Sequence, residues 1–171
     1  MTISDRLAQL GLSLPRPAQP VANYLPYKII NVSSAQSMLD MMDKRPMVNR
    51  LLYLSGMIPL QDGEPYRTGK LGGEVSVEDG VACAQICTLN ALGWASQALD
   101  GQLDQIIEVV RVRGFVASAP DFYDQPKVIN GASDMLVNVF GDDGKHTRAV
   151  VGSVSLPLNV PVEIDYLFSL R

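Results

Sequence analysis

The sequence lacks several features that would place it in a specialised class of protein. Its 171 residues contain no apolar run of about 18 residues, so we expect no membrane-spanning helix. Basic residues are scattered along the chain, and the formal net charge is −4. Nucleic-acid-binding proteins usually gather basic side chains into a patch that neutralises phosphates. We therefore expect neither a membrane nor a nucleic acid as a partner.

Metal-binding and cofactor-binding residues are equally scarce. Cys83 and Cys87 are the two cysteines and His146 is the single histidine. Two thiols four residues apart share one face of a helix, but they cannot complete a tetrahedral zinc site. Gly69-Lys70 lacks the preceding glycine and the following hydroxyl residue of a phosphate-binding loop. The sequence predicts no metal and no cofactor, two small buried cysteines, and a loop position for His146.

The chain divides at about residue 20. Residues 1–20 form a predicted short amphipathic helix, with Ile3, Leu7 and Leu10 on one face, and a proline-rich arm. Residues 21–171 fit a single domain. The first residues show no basic segment followed by an apolar one, so we expect no signal peptide and a cytoplasmic location.

The remaining segments alternate between strand and helix patterns. Strands are predicted at 24–32, 51–56, 106–116, 147–154 and 160–169, and helices at 76–99 and 126–140. In the last strand apolar residues alternate with Glu163 and Asp165. Two helices on one face of a mixed sheet make an α+β domain. The other face, predicted to hold Val150, Val154 and Leu167, should be covered by self-association.

Several short motifs lie in a fixed order between residues 21 and 171: Tyr24-Leu25-Pro26-Tyr27, Ser55-Gly56, Asn130-Gly131-Ala132-Ser133, Arg148, Leu156-Pro157 and Val162-Glu163-Ile164. In their order and spacing, these motifs resemble the Rid/YjgF family of reactive intermediate deaminases. Gly69-Lys70-Leu71-Gly72 and Gln125-Pro126 resemble a longer subgroup. Residues 33–47 form an insertion, and Met57 and Val150 replace the family's usual glutamine and cysteine, which makes the predicted pocket more apolar.

The resemblance implies a chorismate-mutase-like ββαβαββ fold and a homotrimer with a ligand site in each cleft between subunits. It also implies hydrolysis of reactive 2-imino or enamino acids to 2-oxo acids and ammonia. By position, Arg148 is the expected substrate-carboxylate anchor and Glu163 the expected catalytic group. Asn130, Tyr27 and Ser55 are the further expected substrate-binding residues.

The chemistry of these side chains is compatible with that function. An arginine binds a carboxylate through two parallel hydrogen bonds, and an electrophilic imine needs only a placed water and a proton acceptor. If the last two strands pair, Glu163 should lie within reach of Arg148. Each residue also has a structural alternative: a surface ion pair for Arg148, a solvated charge for Glu163, local backbone bonding for Asn130, a turn for Ser55 and the core for Tyr27. At the level of the whole protein, a non-catalytic module that binds small carboxylates is the main alternative, and an endoribonuclease or translation inhibitor is a weaker one.

Overall fold

A computed structural model describes residues 2–17, 23–32 and 48–171. The predicted insertion at 33–47 lies outside these residues. The helices and strands are α1 (Ile3–Gln9), β1 (Tyr27–Asn31), β2 (Arg50–Met57), β3 (Leu60–Gln61), β4 (Glu64–Pro65), α2 (Val77–Ala98), β5 (Ile106–Ala117), α3 (Gln125–Phe140), β6 (Thr147–Ser153) and β7 (Val162–Leu170). The predicted α+β class is confirmed, and most predicted element ends are within about two residues of those observed.

Local signals in the sequence explain where the two long helices begin and end. Ser76 caps α2, because its Oγ accepts a hydrogen bond from the Asp79 backbone N–H. Pro126 lies in the first turn of α3, where no intrahelical N–H is needed. Gly141 follows α3 with a φ of 68°, a conformation that favours glycine and ends the helix.

The main sheet has the strand order β1-β2-β7-β5-β6. β6 pairs with β5 in parallel, whereas β7 pairs antiparallel with both β2 and β5. The predicted pairing of β6 with β7 is therefore wrong, because β5 lies between them. The reason is topological: α3 is a crossover connection that returns the chain parallel to β5. The chain then passes to the other side of β5, and β7 takes the central position.

The core lies between the sheet and the helices α2 and α3. The predicted alternation in β7 is confirmed, because Val162, Ile164, Tyr166 and Phe168 are all buried. The two helices approach closely at Gly131, where an added Cβ would lie 2.5 Å from the Val81 carbonyl oxygen.

Other parts of the sequence contribute to the same core. Ile3 and Leu7 of α1 are buried in it. Cys83 and Cys87 are buried with their thiols free, as predicted. None of the helices in the described ranges is both long and apolar enough to cross a membrane.

The second face of the sheet has no helix over it within the described residues. Register places Leu167 opposite Tyr53 and Arg111, and Glu163 opposite Phe115, all on this open face. The prediction for Val150 is wrong: it lies in register with Gly114 and packs partly against the helix-covered core. Val154 follows the end of β6 and is exposed. The open face thus mixes apolar and charged side chains.

Candidate functional site

Arg148 lies on β6, the edge strand, and its side chain extends over α3. Its Nη1 donates hydrogen bonds to Asn130 Oδ1 at 2.9 Å and to Ser133 Oγ at 3.0 Å. Both acceptors are neutral, and none of the carboxylates in the described ranges forms an ion pair with Arg148. The exposed guanidinium is therefore held in one orientation while its positive charge stays unneutralised.

The helix α3 supplies both acceptors because of their spacing. Asn130 and Ser133 are three residues apart and so lie on one face of the helix. Between them, Gly131 and Ala132 are buried against α2 and the sheet, which fixes the rotation of α3 about its axis. The structure thus brings Asn130 to Arg148, the two members of the predicted set that touch each other.

His146 belongs to the same group of side chains, although the sequence indicated only a loop residue. Its Nδ1 lies 2.7 Å from the Gly144 carbonyl oxygen, and its Nε2 lies 3.0 Å from Ser133 Oγ. A carbonyl can only accept, so Nδ1 carries the hydrogen and Nε2 of the neutral ring accepts from the Ser133 hydroxyl. No motif spacing links Ser133 to His146, because the turn after α3 brings them together.

The ring of His146 is half-buried, and several causes act on its pKa. Burial lowers the pKa most, the bond to Gly144 raises it, and the nearby charge of Arg148 lowers it further. The net pKa is below the ordinary histidine value, so the ring is neutral at pH 7. We refer to Asn130, Ser133, His146 and Arg148 as the Arg148 cluster.

Glu163 lies on the other face of the sheet. Its carboxyl group packs against Gly56, where an added methyl group would overlap it. No described residue donates a hydrogen bond to this carboxyl. Partial burial raises its pKa, and the neighbouring Asp165 raises it further. Ser55, Gly56 and Glu163 form what we call the Glu163 cluster.

The predicted contact of Glu163 with Arg148 is absent within one chain. Arg148 is level with Val112 of β5, whereas Glu163 is level with Phe115 on the far side of that strand. Two strand spacings and three residues along the strands separate their Cα atoms by about 14 Å, and the side chains point to opposite faces. The prediction failed because it assumed that β6 and β7 form a hairpin.

Tyr27 and Ser55 are near the opposite edge of the sheet from Arg148. The Tyr27 ring lies on the helix-covered face, with its centroid 6.1 Å from that of Trp94. Ser55 Oγ donates to the Leu25 carbonyl at 2.7 Å, and the Ser55 N–H donates to the Pro26 carbonyl at 2.9 Å. Both residues therefore organise the segment that leads into β1, and neither contacts Arg148 in the same chain.

A nearby cleft and the arrangement of possible metal ligands bear on what the site could bind. A cleft of about 360 Å³ lies beside Gly152, four residues along β6 from Arg148 and on the same face. Phe122, Tyr123 and Val154 give it apolar walls, and Lys70 and Gln125 give it polar ones. Within the described ranges, no group of three or more histidine, cysteine, aspartate or glutamate side chains is arranged to hold a metal ion.

Comparison with known proteins identifies the family. Residues 4–170 match the family model described as "YjgF/chorismate mutase-like, putative endoribonuclease". The chain belongs to the YjgF/Rid family. The matched range begins earlier than residue 21, so it includes most of α1.

Three relatives of this family member cover nearly the whole chain. Protein TCP17 of Trypanosoma cruzi is 36% identical over 170 residues, which are 99% of this chain and 94% of TCP17. The crystal structure of Atu1372 from Agrobacterium tumefaciens has a TM-score of 0.81 and 38% identity, with 99% and 92% of the two chains covered. The crystal structure described as "a putative endoribonuclease" from Shewanella oneidensis has a TM-score of 0.84 and 29% identity, with 99% and 100% of the two chains covered.

Proposed function

We propose that this YjgF/Rid protein hydrolyses reactive 2-imino or enamino acids to 2-oxo acids and ammonia, without a cofactor, at sites shared between the subunits of a homotrimer. Arg148 holds the substrate carboxylate, and Glu163 of a neighbouring copy acts on the water. The observation that carries the proposal is the exposed guanidinium of Arg148, held in place by neutral partners.

Arg148 is suited to bind a carboxylate. Both hydrogen bonds that the Arg148 side chain donates to described residues use Nη1. The edge formed by Nε and Nη2 is therefore left for a ligand, and this edge matches the two oxygens of a carboxylate. Because Asn130 and Ser133 already restrict the side chain, little further rotamer entropy is lost when the ligand binds.

The reaction needs few groups beyond that anchor. The carbon of an iminium ion is electrophilic, so a placed water adds to it once a base accepts a proton from the water. The resulting carbinolamine expels ammonia as the carbonyl forms, so one water is consumed for each ammonia released. The raised pKa of Glu163 suits this exchange, because the group can both accept and return a proton nearer to neutral pH.

Two copies are required because the two clusters lie apart. The Arg148 cluster lies at the β6 edge of the sheet, and the Glu163 cluster lies toward the β1–β2 edge. A head-to-tail contact would bring the first cluster of one copy to the second cluster of the next, and repetition of such a contact closes a ring. The open face carries apolar side chains that are exposed (Tyr53 and Val151) or partly exposed (Phe115 and Leu167). Their exposure supports an assembly that covers this face.

A non-catalytic carboxylate-binding module is the second candidate. It is favoured by the separation of Glu163 from Arg148 within one chain, which leaves the anchor without a proton acceptor there. An endoribonuclease, the activity in the family description, has less support. Arg111 and Arg113 do lie on the open face, but Arg113 is paired with Asp165 at 2.8 Å and the net charge is negative.

The test compares wild type with Arg148→Ala and Glu163→Gln. The assays are 2-oxo acid formation from freshly generated 2-aminoacrylate or a larger 2-imino acid, and pyruvate binding by calorimetry. Arg148→Ala should weaken pyruvate binding at least about tenfold, because two charge-assisted hydrogen bonds are lost. Glu163→Gln should spare binding and slow turnover, since it keeps the shape of the side chain and removes the base.

The test has one control variant, one outcome that supports the binding module and one outcome that contradicts the shared site. Arg67→Ala removes an exposed arginine that is paired with Asp79 and should change neither assay. Pyruvate binding through Arg148 without acceleration of any imino acid supports the binding module instead. A monomer mass by light scattering at micromolar concentration contradicts the shared site.

A further inference from the structure

Three hydrogen bonds connect Arg148 to a fixed backbone carbonyl. Arg148 donates to Ser133, Ser133 donates to His146, and His146 donates to the carbonyl of Gly144. Gly144 is buried, and a side chain there would overlap the Leu136 carbonyl, so the chain of bonds starts from a rigid point. The orientation of the arginine is thus tied to the protonation state of the histidine.

A second proton on His146 would rearrange this connection. Nε2 would become a donor, so the Ser133 hydroxyl could no longer donate to it. The Ser133 oxygen would then accept from both His146 and Arg148, and the two cations would lie on either side of one hydroxyl group. Repulsion between them opposes protonation as long as Arg148 has no anion beside it.

The other charged groups around His146 leave Arg148 as the dominant charge. Thr147 and Arg148 follow the histidine on β6, and α3 presents the neutral Ser133 to it. The turn before β6 carries an ion pair of Lys145 with Asp142 at 2.8 Å, both exposed. The remaining charged residues on these elements are all exposed: Lys127 and Asp134 of α3, Asp143 of the turn, and Glu108, Arg111 and Arg113 of β5.

We propose that the Ser133–His146 pair makes the Arg148 site proton-linked, so that a carboxylate at Arg148 and a proton at His146 favour one another. This inference rests on the proposed function, because it takes Arg148 as the carboxylate anchor. The bound anion offsets the guanidinium charge and removes one of the causes that keep the ring neutral. By linkage, the affinity for the anion rises as pH falls through the pKa of His146.

His146 can be followed directly because it is the sole histidine in the chain. We expect ¹H–¹⁵N NMR of the imidazole to show hydrogen on Nδ1 in the neutral form. Saturating pyruvate should raise the pKa of His146 in the wild-type protein. Between pH 8 and pH 5, pyruvate affinity should correspondingly increase by about fivefold, the lower end of ordinary coupling between sites.

Three variants sharpen the test. His146→Gln cannot titrate, and in a Glu163→Gln background, which also removes the titrating carboxyl of the proposed shared site, it should bind pyruvate with an affinity independent of pH in this range. Arg148→Ala should raise the histidine pKa in the ligand-free protein and abolish its response to pyruvate. Lys145→Ala removes a nearby cation outside the chain of hydrogen bonds and should leave the response to pyruvate intact.

The outcomes separate this inference from the proposed function. Pyruvate binding through Arg148 with an unchanged His146 titration overturns the linkage alone. A normal pyruvate-induced shift in a protein that hydrolyses no imino acid overturns the proposed reaction alone and leaves the linkage standing. Failure of the wild-type protein to bind pyruvate overturns the carboxylate anchor, on which both depend.

Discussion

The Arg148 cluster and the Glu163 cluster differ in how completely one chain satisfies them. The guanidinium has two acceptors within 3.0 Å, and one of them, Ser133, connects through His146 to the backbone. The Glu163 carboxyl packs against Gly56 and receives no hydrogen bond from the described residues. One charge is therefore oriented before any ligand arrives, whereas the other is partly desolvated without a compensating donor.

This difference teaches that the proposed carboxylate anchor and the proposed proton-exchanging group make different demands on the protein. An anchor must be rigid and must keep its charge, which neutral hydrogen-bond acceptors achieve. A group that exchanges protons benefits from partial burial, which destabilises its charged form. The two requirements conflict at close range, because an unneutralised arginine would lower the pKa of an adjacent carboxyl group. Placing the two groups at different sites on the sheet avoids that conflict in the single chain, and in the proposed shared site the carboxylate bound at Arg148 would offset the guanidinium charge.

The largest expected effect comes from recombining the two clusters in mixed oligomers. Arg148→Ala and Glu163→Gln proteins should each be nearly inactive alone. When they are co-expressed at equal amounts, roughly a quarter of the intersubunit sites should contain both intact groups, because each site draws its two sides from different copies. The measurement is imine hydrolysis by the co-purified oligomers.

The control is a mixture of the two separately purified variants, assayed before their subunits exchange. Activity equal to that of this control, in oligomers shown to contain both variants, contradicts a site shared in this way.

A smaller effect is expected from Gly56→Ala. The added methyl group would overlap the Glu163 carboxyl and displace it, without touching the Arg148 cluster. We expect turnover to fall by about tenfold, less than the roughly 10²–10⁴-fold that complete loss of a general acid or base costs, while pyruvate affinity stays unchanged. Gly73→Ala is a matched control, since its Cβ would meet only the Lys70 carbonyl oxygen at 3.4 Å. Equal turnover in the two variants would show that the position of Glu163 is unimportant.

The smallest effect concerns stability and its pH dependence. Because the folded chain raises the pKa of Glu163, the folded state binds more protons than the unfolded one between the ordinary glutamate pKa and the raised value. The free energy of unfolding must therefore fall as pH rises through that window. Glu163→Gln should remove this loss, so it should stabilise the protein at pH 7 and leave its stability at pH 3 unchanged. Denaturant unfolding at the two pH values measures it, and equal gains at both would contradict the assignment.

The elements of the fold could be predicted because each carries a local signal. The capping serine of α2, the proline in the first turn of α3 and the alternation in β7 all depend on neighbours close in sequence. Strand order depends on contacts between distant residues, and here the short connection between β6 and β7 was misleading. The structure shows the difference in burial: six of the nine residues of β7 are buried and none is fully exposed, as in a central strand, whereas β6 is exposed along most of its length.

Residues of the candidate site could be predicted only where they belong to a motif of the family. The family resemblance pointed to Arg148 and Asn130, and the structure places them in contact. The same reasoning could not find His146, because its partner Ser133 is set by the turn after α3 and not by any spacing of catalytic residues. It also could not separate Glu163 from Arg148, since the face to which a side chain points depends on which strands are paired.

Both cysteines of the chain are deeply shielded. Burial raises the pKa of Cys83 to about 12 and holds the pKa of Cys87 well above its ordinary value. A thiol reacts with alkylating reagents as its thiolate, and the native protein offers almost none of that form. The rate at which a thiol reagent labels the cysteines of α2 in the native protein therefore measures how often local unfolding exposes the core between the sheet and its helices.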